Sequence, residues 1–180
     1  VETRAVTIPE FLNGLATPLS PFLKRQRCKL AVEVEGKRPL LVAAGELDQV
    51  ITNLVVNACR HGYGEPGSGT EVRLISLRAR LDVDNLHVEV EDHGSGMDPE
   101  VLARVYEPFY STRKGQGGTG LGMHIVHQLV TERFGGEITA VSALQKGTCW
   151  RLRLPLGTNA LRDVPTRSPV VGGHHVLAAE

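Results

Sequence analysis

Gln49, Asn53 and Asn57 recur every four residues in a stretch whose apolar positions are Leu47, Val50, Ile51, Leu54, Val55 and Ala58. That apolar spacing, i, i+3, i+4, predicts an amphipathic helix over Glu46–Arg60. On such a helix the three amides form one row, spaced roughly 6 Å step to step, opposite the buried stripe. Asparagine competes for backbone hydrogen bonds and is a poor mid-helix residue, so two in register need a reason. A row of amide oxygens suits a hard cation such as Mg²⁺, which takes oxygen ligands and keeps several waters. Taken alone, the row is explained nearly as well by a solvated helix face.

Two glycine stretches add to it. Leu86, Val88, Val90 and Asp92 fall on one face of a strand by the two-residue period, so Asp92 ends an apolar face and points inward. A buried carboxylate is costly without donors, and Gly94-Ser95-Gly96 follows directly, where backbone can pass close to a ligand. An inward carboxylate beside such glycines can accept a hydrogen bond from an adenine amino group and disfavours the carbonyl of guanine. An Asx turn closing a hairpin is the structural alternative. Further on, Gly115, Gly117, Gly118, Gly120 and Gly122 run into a helix patterned Leu121, Ile125, Val126, Leu129, Val130. A glycine loop feeding a helix N-terminus offers free N–H groups and the positive end of the helix dipole to phosphate. Thr119 adds a hydroxyl, and Arg113 and Lys114 add positive charge. The string does not match GxxxxGK[ST], so it is no P-loop.

The elements that must position these residues are legible in outline. A helix from about Pro9 to Leu30 is expected to be interrupted near Pro18 and Pro21. Strands follow at Lys29–Val34 and Leu40–Ala43, and then comes the amide-bearing helix. His61–Thr70, with four glycines and a proline, reads as a loop. Glu71–Ala79 and Leu86–Glu91 are strands joined at Asp82–Asn85, and Pro99–Val105 reads as a short helix. The glycine-rich 107–120 stretch is mobile in character, Leu121–Phe134 is helical, and Ile138–Ala143 and Thr148–Leu154 close the pattern. Grouped helices with mostly antiparallel strands point to an α+β two-layer sandwich. The domain is expected over 1–156, with 157–180, carrying Pro165, Pro169, Gly172 and Gly173, as a tail or linker.

Composition narrows the function classes. The chain has 180 residues, 20 basic and 20 acidic, for a formal net charge of zero. That balance offers no footprint for nucleic acid or an anionic membrane. Cys28, Cys59 and Cys149 are odd in number and far apart, against a disulfide scaffold or zinc ribbon and in keeping with a reducing cytoplasm. No apolar run approaches the roughly 20 residues of a membrane helix. The chain begins at Val1, not Met, and reads as a piece of a longer protein, whose inner-membrane anchor, if it has one, lies elsewhere.

The amide row, the Asp-led turn and the second glycine stretch occur in the order of one family. From Ile8 to Leu156 the chain resembles the ATP-binding catalytic domain of two-component sensor histidine kinases, within the GHKL superfamily that includes gyrase, a heat-shock chaperone and mismatch-repair ATPases. The N-box is similar to Asp48–Ala58, the first glycine box to Asp92-His93-Gly94-Ser95-Gly96-Met97, the F-box to Tyr106-Glu107-Pro108-Phe109-Tyr110 and the second glycine box to Gly118-Thr119-Gly120-Leu121-Gly122-Met123. The closing strand is similar to Gly147–Leu156. The resemblance implies a Bergerat α/β sandwich with a mixed sheet and a flexible ATP lid. It implies that Asn57 ligates Mg²⁺, that Asn53 and Arg60 lie near the phosphates, that His61 is a frequent residue type beside them, and that Asp92 binds the adenine amino group with support from Thr148. Arg113 and Lys114 then belong to the lid, and Phe109 anchors its base in the core.

The same resemblance implies the partners: ATP, a histidine-bearing dimerisation domain of the same protein, and a downstream response regulator. The acceptor histidine of this family stands in a His-Glu or His-Asp context before a proline. None of His61, His87, His93, His124, His127, His174 and His175 does, so the fragment is expected to bind ATP without phosphorylating itself. His124 and His127, one turn apart without an acidic partner, read as ordinary surface or core residues. Chaperone and gyrase relatives carry a water-activating Glu where Asn53 stands, so hydrolysis is expected to be slow. Two rivals share some features: a serine kinase of the anti-sigma type, flavoured by Asn57–Tyr63, and a non-enzymatic module with a degenerate site.

Overall fold

The computed structural model describes residues 2–63, 71–112 and 119–165. Strand β1 (Arg4–Val6) leads into helix α1 (Ile8–Arg25), strands β2 (Cys28–Glu35) and β3 (Leu40–Val42), and helix α2 (Ala44–Asn57). A π-helical turn, Ala58–Gly62, continues α2. Strands β4 (Arg73–Leu81) and β5 (Asn85–Asp92) form a hairpin, followed by helix α3 (Pro99–Arg104) and helix α4 (Gly122–Gln128). A second π turn, Leu129–Arg133, extends α4 before strands β6 (Glu137–Ala143), β7 (Gly147–Pro155) and β8 (Leu161–Asp163).

The large sheet runs β2-β4-β5-β7-β6, with β2 and β4 parallel and every other pair antiparallel. This is the mixed sheet of an α+β sandwich. The central strands alternate: Leu86, Val88, Val90 and Asp92 of β5 are buried, and so are Thr148, Trp150, Leu152 and Leu154 of β7. The inner face packs with the apolar stripes of α1 and α2 and with Val126, Val130 and Phe134 in one core. The outer face carries charge, with Arg78 bound to Glu89 at 3.1 Å and to Glu91 at 2.6 Å, and Arg151 to Glu89 at 2.8 Å. A groove of about 520 Å³ on that outer face, lined by residues such as Glu33, Arg80 and His87, contains none of the candidate site residues. Among the described residues, no helix is long and apolar enough to cross a membrane. The three cysteines carry free thiols.

Two expectations about the elements are corrected. Helix α1 runs unbroken through Pro18 and Pro21. Both prolines sit on its exposed side, while Ile8, Phe11, Leu12, Leu15, Leu19 and Leu23 are buried on the other. A mid-helix proline costs about 3 kcal/mol, but each buried side chain of this size contributes about 1.5–3 kcal/mol. The carbonyls that lose their partners lie four residues back, at Gly14 and Thr17, also on the exposed side where water can replace the lost bond.

The second correction concerns the C-terminal boundary. Part of the stretch read as a tail is folded: β8 pairs antiparallel with β3, which also pairs with β1, giving a small β1-β3-β8 sheet. Ala160 and Leu161 are buried at 2% and 0% exposure, and the Ala43 N–H donates to the Ala160 carbonyl at 2.8 Å. A three-residue strand has little periodicity of its own, and Pro165, Pro169, Gly172 and Gly173 further on gave the whole 157–180 stretch the composition of a linker. Residues 166–180 lie outside the described residues. Leu161→Ala should therefore destabilise the domain by about 2–5 kcal/mol in chemical denaturation, as for other core leucines. A residue in a dispensable tail would show no change.

Candidate functional site

The inward turn of Asp92 follows from the β5 period, and its side chain is 2% exposed. The Gly94 N–H donates to Asp92 Oδ1 at 2.9 Å. Burial pushes the Asp92 carboxyl above its ordinary range, and the Gly94 and Thr148 backbone N–H groups pull it partly back. Thr148 stands directly opposite Asp92 in the β5–β7 ladder. The approach is so close that two glycines are obligatory. A Cβ on Gly62 would stand 2.6 Å from the Asp92 carboxyl carbon, and one on Gly94 would overlap the Gly62 carbonyl. The turn is latched there: the Ser95 N–H and hydroxyl both donate to the Gly62 carbonyl, at 2.6 and 3.2 Å.

Next to this turn lies a cleft of about 580 Å³, within the usual range for small-molecule sites. Asn53, Asn57, Arg60, His61, Gly96, Met97, Thr119, Gly120 and Gly122 line it, so α2, its π turn and both glycine stretches meet at one place. Among the described residues, the Asn53 and Asn57 amides take no hydrogen-bond partner, leaving their oxygens available to a cation or to phosphate-bound water. The Arg60 guanidinium lies over the Phe22 ring of α1 at 5.4 Å. Asp92, Gly94 and Thr148 do not themselves line the cleft. Leu121 caps α4 without lining it. Arg113, Lys114 and Gly118 lie outside the described residues.

The expectation for Phe109 is corrected. It is 67% exposed, and it cannot anchor anything in the core. Its φ of 62° and the Tyr110 N–H to Glu107 carbonyl bond at 3.2 Å put it in a tight turn whose backbone meets Gly120. Tyr106 takes the inward position instead. Its ring stands 4.8 Å from the His127 ring and 6.1 Å from Trp150, and burial pushes its hydroxyl up to about 12. His124 and His127 thus serve packing around Tyr106, with the His124 Nδ1 at 3.2 Å from the Tyr106 carbonyl. No group of three His, Cys, Asp or Glu capable of holding a metal occurs among the described residues.

Three contributors were not singled out from sequence. Gly62 was read only as part of a helix stop. The Tyr63 hydroxyl accepts from the His93 N–H at 3.0 Å and donates to the Leu74 carbonyl at 2.6 Å, tying the turn to β4. Ser142 on β6 accepts from the Met97 N–H at 2.8 Å. The period of β6, with Ile138, Ala140 and Ser142 inward, was the available signal for the last.

Residues 43–158 match the family model described as histidine kinase-, DNA gyrase B-, and HSP90-like ATPase. The chain is 39% identical over 140 residues to the sensor protein TorS of Escherichia coli, covering 77% of this chain and 14% of that protein. It is 38% identical over 136 residues to the two-component sensor PprA of Pseudomonas aeruginosa, covering 72% of this chain and 14% of that protein. The chain thus spans about one-seventh of the length of these relatives. Among solved structures, the nucleotide-free catalytic domain of the histidine kinase ThkA aligns with a TM-score of 0.71 at 20% identity, over 86% of this chain and 96% of that one. The fold, the order of the motifs and the family match agree: the chain belongs to the histidine kinase-, DNA gyrase B-, and HSP90-like ATPases.

Proposed function

We propose that this domain binds ATP with Mg²⁺ and donates the γ-phosphoryl group to a histidine on a separate dimerisation domain of the same protein, from which a response regulator receives it. The observation that carries the reading is the convergence, on one cleft, of the unpartnered amide pair of α2 with the turn that holds Asp92. Asp92 accepts the adenine amino hydrogen, with Thr148 and Gly94 holding the carboxylate in place. Asn57 ligates the metal through its amide oxygen, and Asn53, Arg60 and His61 line the path of the phosphates. A magnesium ion held by Asn57 would supply neutralisation of phosphate charge during transfer. Thr119 and the glycines 118–122 supply donors to the terminal phosphate, and Arg113 and Lys114 supply charge from the lid.

Phosphoryl transfer asks for positioning and charge stabilisation more than for covalent help, and this set of groups matches that demand. Asn53 stands where a water-activating carboxylate would otherwise be, which favours retention of the phosphoryl group for transfer over loss to water. Residues 1–180 offer no histidine in an acceptor context, so the acceptor belongs to another part of the protein or is supplied in trans.

Incubation with labelled ATP and a histidine-bearing dimerisation domain should give an acid-labile, base-stable phosphoprotein. An acid-stable phosphoserine on an added substrate would instead point to the anti-sigma-type reading. Asn57→Ala should abolish the Mg²⁺ dependence of nucleotide binding in calorimetry; persistence of that dependence would move the metal ligand elsewhere.

Asp92→Asn should weaken ATP binding by about 100-fold or more, the scale of a lost charge-assisted bond. It should also raise the melting temperature of the nucleotide-free chain. The folded-state carboxyl titrates above the unfolded one, so the folded chain holds its proton more tightly and loses stability as pH rises through the raised value. The variant should therefore melt higher than wild type at pH 7, with the advantage fading as pH falls below the ordinary carboxylate range. An unchanged melting temperature at pH 7 would mean that Asp92 carries no burial penalty.

A further inference from the structure

Ser142 uses its whole hydrogen-bonding capacity at one junction. A hydroxyl has one donor and two acceptor lone pairs. Ser142 Oγ accepts the Met97 N–H at 2.8 Å, lies 2.8 Å from Thr148 Oγ1, and donates to the Gly147 carbonyl at 3.1 Å. With the Thr148 hydroxyl as the other donor, each lone pair and the single hydrogen are committed.

The three partners belong to the two segments that enclose Asp92. Met97 ends the first glycine turn, which begins at the carboxylate itself. Gly147 and Thr148 open β7, where Thr148 pairs with Asp92 in register and Gly147 lies so close to the Asp92 carbonyl that a Cβ there would overlap it. The same turn is also tied to the β6–β7 connection, where the Gln145 N–H donates to the Ser95 carbonyl at 2.7 Å. That bond is backbone to backbone and survives any side-chain change. Ser142 is therefore the side-chain contact that fixes the Met97 end of the turn against β7.

We propose that Ser142 is a positioning residue for the base end of the cleft: it holds the first glycine turn against β7 so that Asp92 meets a 6-aminopurine in register. This rests on the assignment of Asp92 to the adenine amino group. Ser142 acts through Met97 and Thr148 and touches no substrate itself. Alanine at this position strips the partner from the Met97 N–H, the Gly147 carbonyl and the Thr148 hydroxyl at once. The turn loses its register, and the site loses its preference for the amino group without losing its grip on the phosphates.

The test compares ATP with purine riboside triphosphate, which lacks the 6-amino group, by calorimetry on the 180-residue chain. Ser142→Ala should weaken ATP binding about tenfold and leave the amino-free nucleotide nearly unchanged, collapsing the preference between them. Ser142→Thr, which keeps the hydroxyl and suits a strand, should restore the preference. Should alanine fail to fold, Ser142→Cys, with a weak S–H donor, should give an intermediate fall in the same ratio.

An equal loss for both nucleotides would show a merely structural role and overturn the proposal, as would an unchanged ratio in the alanine or cysteine variant. Asp92→Asn separates the two levels of the argument. If it removes the preference while Ser142→Ala leaves it intact, the Ser142 proposal alone falls. If wild type shows no preference, the adenine assignment falls with it.

Discussion

A carboxylate held out of water at the end of an apolar strand face is the constraint around which the rest of this structure is organised. Nothing in the packing of β5 requires a charge at Asp92; Leu86, Val88 and Val90 would be continued more cheaply by another aliphatic residue. The chain keeps the carboxylate by bringing backbone N–H groups to it from two directions, the glycine turn that follows and the β7 strand opposite. Those approaches in turn dictate small residues where α2 ends and where the turn begins. Asp92 is thereby held in place by main-chain donors from both sides, and its position depends on the backbone of both segments.

One helix reaches both ends of the cleft. Asn53 and Asn57 of α2 line the cleft, and the π turn Ala58–Gly62 that continues α2 delivers Arg60 and His61 to its wall and Gly62 to the Asp92 side. A π turn inserts an extra residue into the helical ladder and re-aims the side chains beyond it, which is why such turns gather at functional sites. The separation between the Asn57 amide and the Asp92 turn is thus set by the short segment from Asn57 to Gly62. A substitution that restored regular α-helix there would rotate the two ends out of alignment without touching either.

The residues that carry chemistry were more legible in the sequence than the frame that holds them. The inward face of β5 and β7 could be read from strict alternation, because both strands are long enough for the period to repeat, and it placed Asp92 and Thr148 correctly. The first and last strands, and the continuity of α1, were not legible. β1 and β8 have three residues each and find their place only by pairing with β3, a long-range choice that no local pattern reveals. Pro18 and Pro21 argued for a break that six buried side chains override. The expectation that Phe109 anchors the lid base in the core fails because the backbone there takes a positive φ against Gly120, and the side chain is exposed. Ser142 was visible to the two-residue period of β6, but its partners come from two other segments, and only the fold brings them together.

The small sheet has a mechanical consequence. Arg4 and Leu161 both stand opposite Val42, and Val6 and Asp163 both stand opposite Leu40, so the outer strands run parallel on either side of β3. Tension that drew the chain outward at Arg4 and at Asp163 would slide β1 and β8 in opposite directions along that central strand. The hydrogen bonds on each side would bear the load together, as in a lap joint, and would not open one after another like a zipper. Resistance to such pulling is governed by the rate of unfolding and not by equilibrium stability, so the three short strands bear on how slowly the domain opens more than on how stable it is at rest.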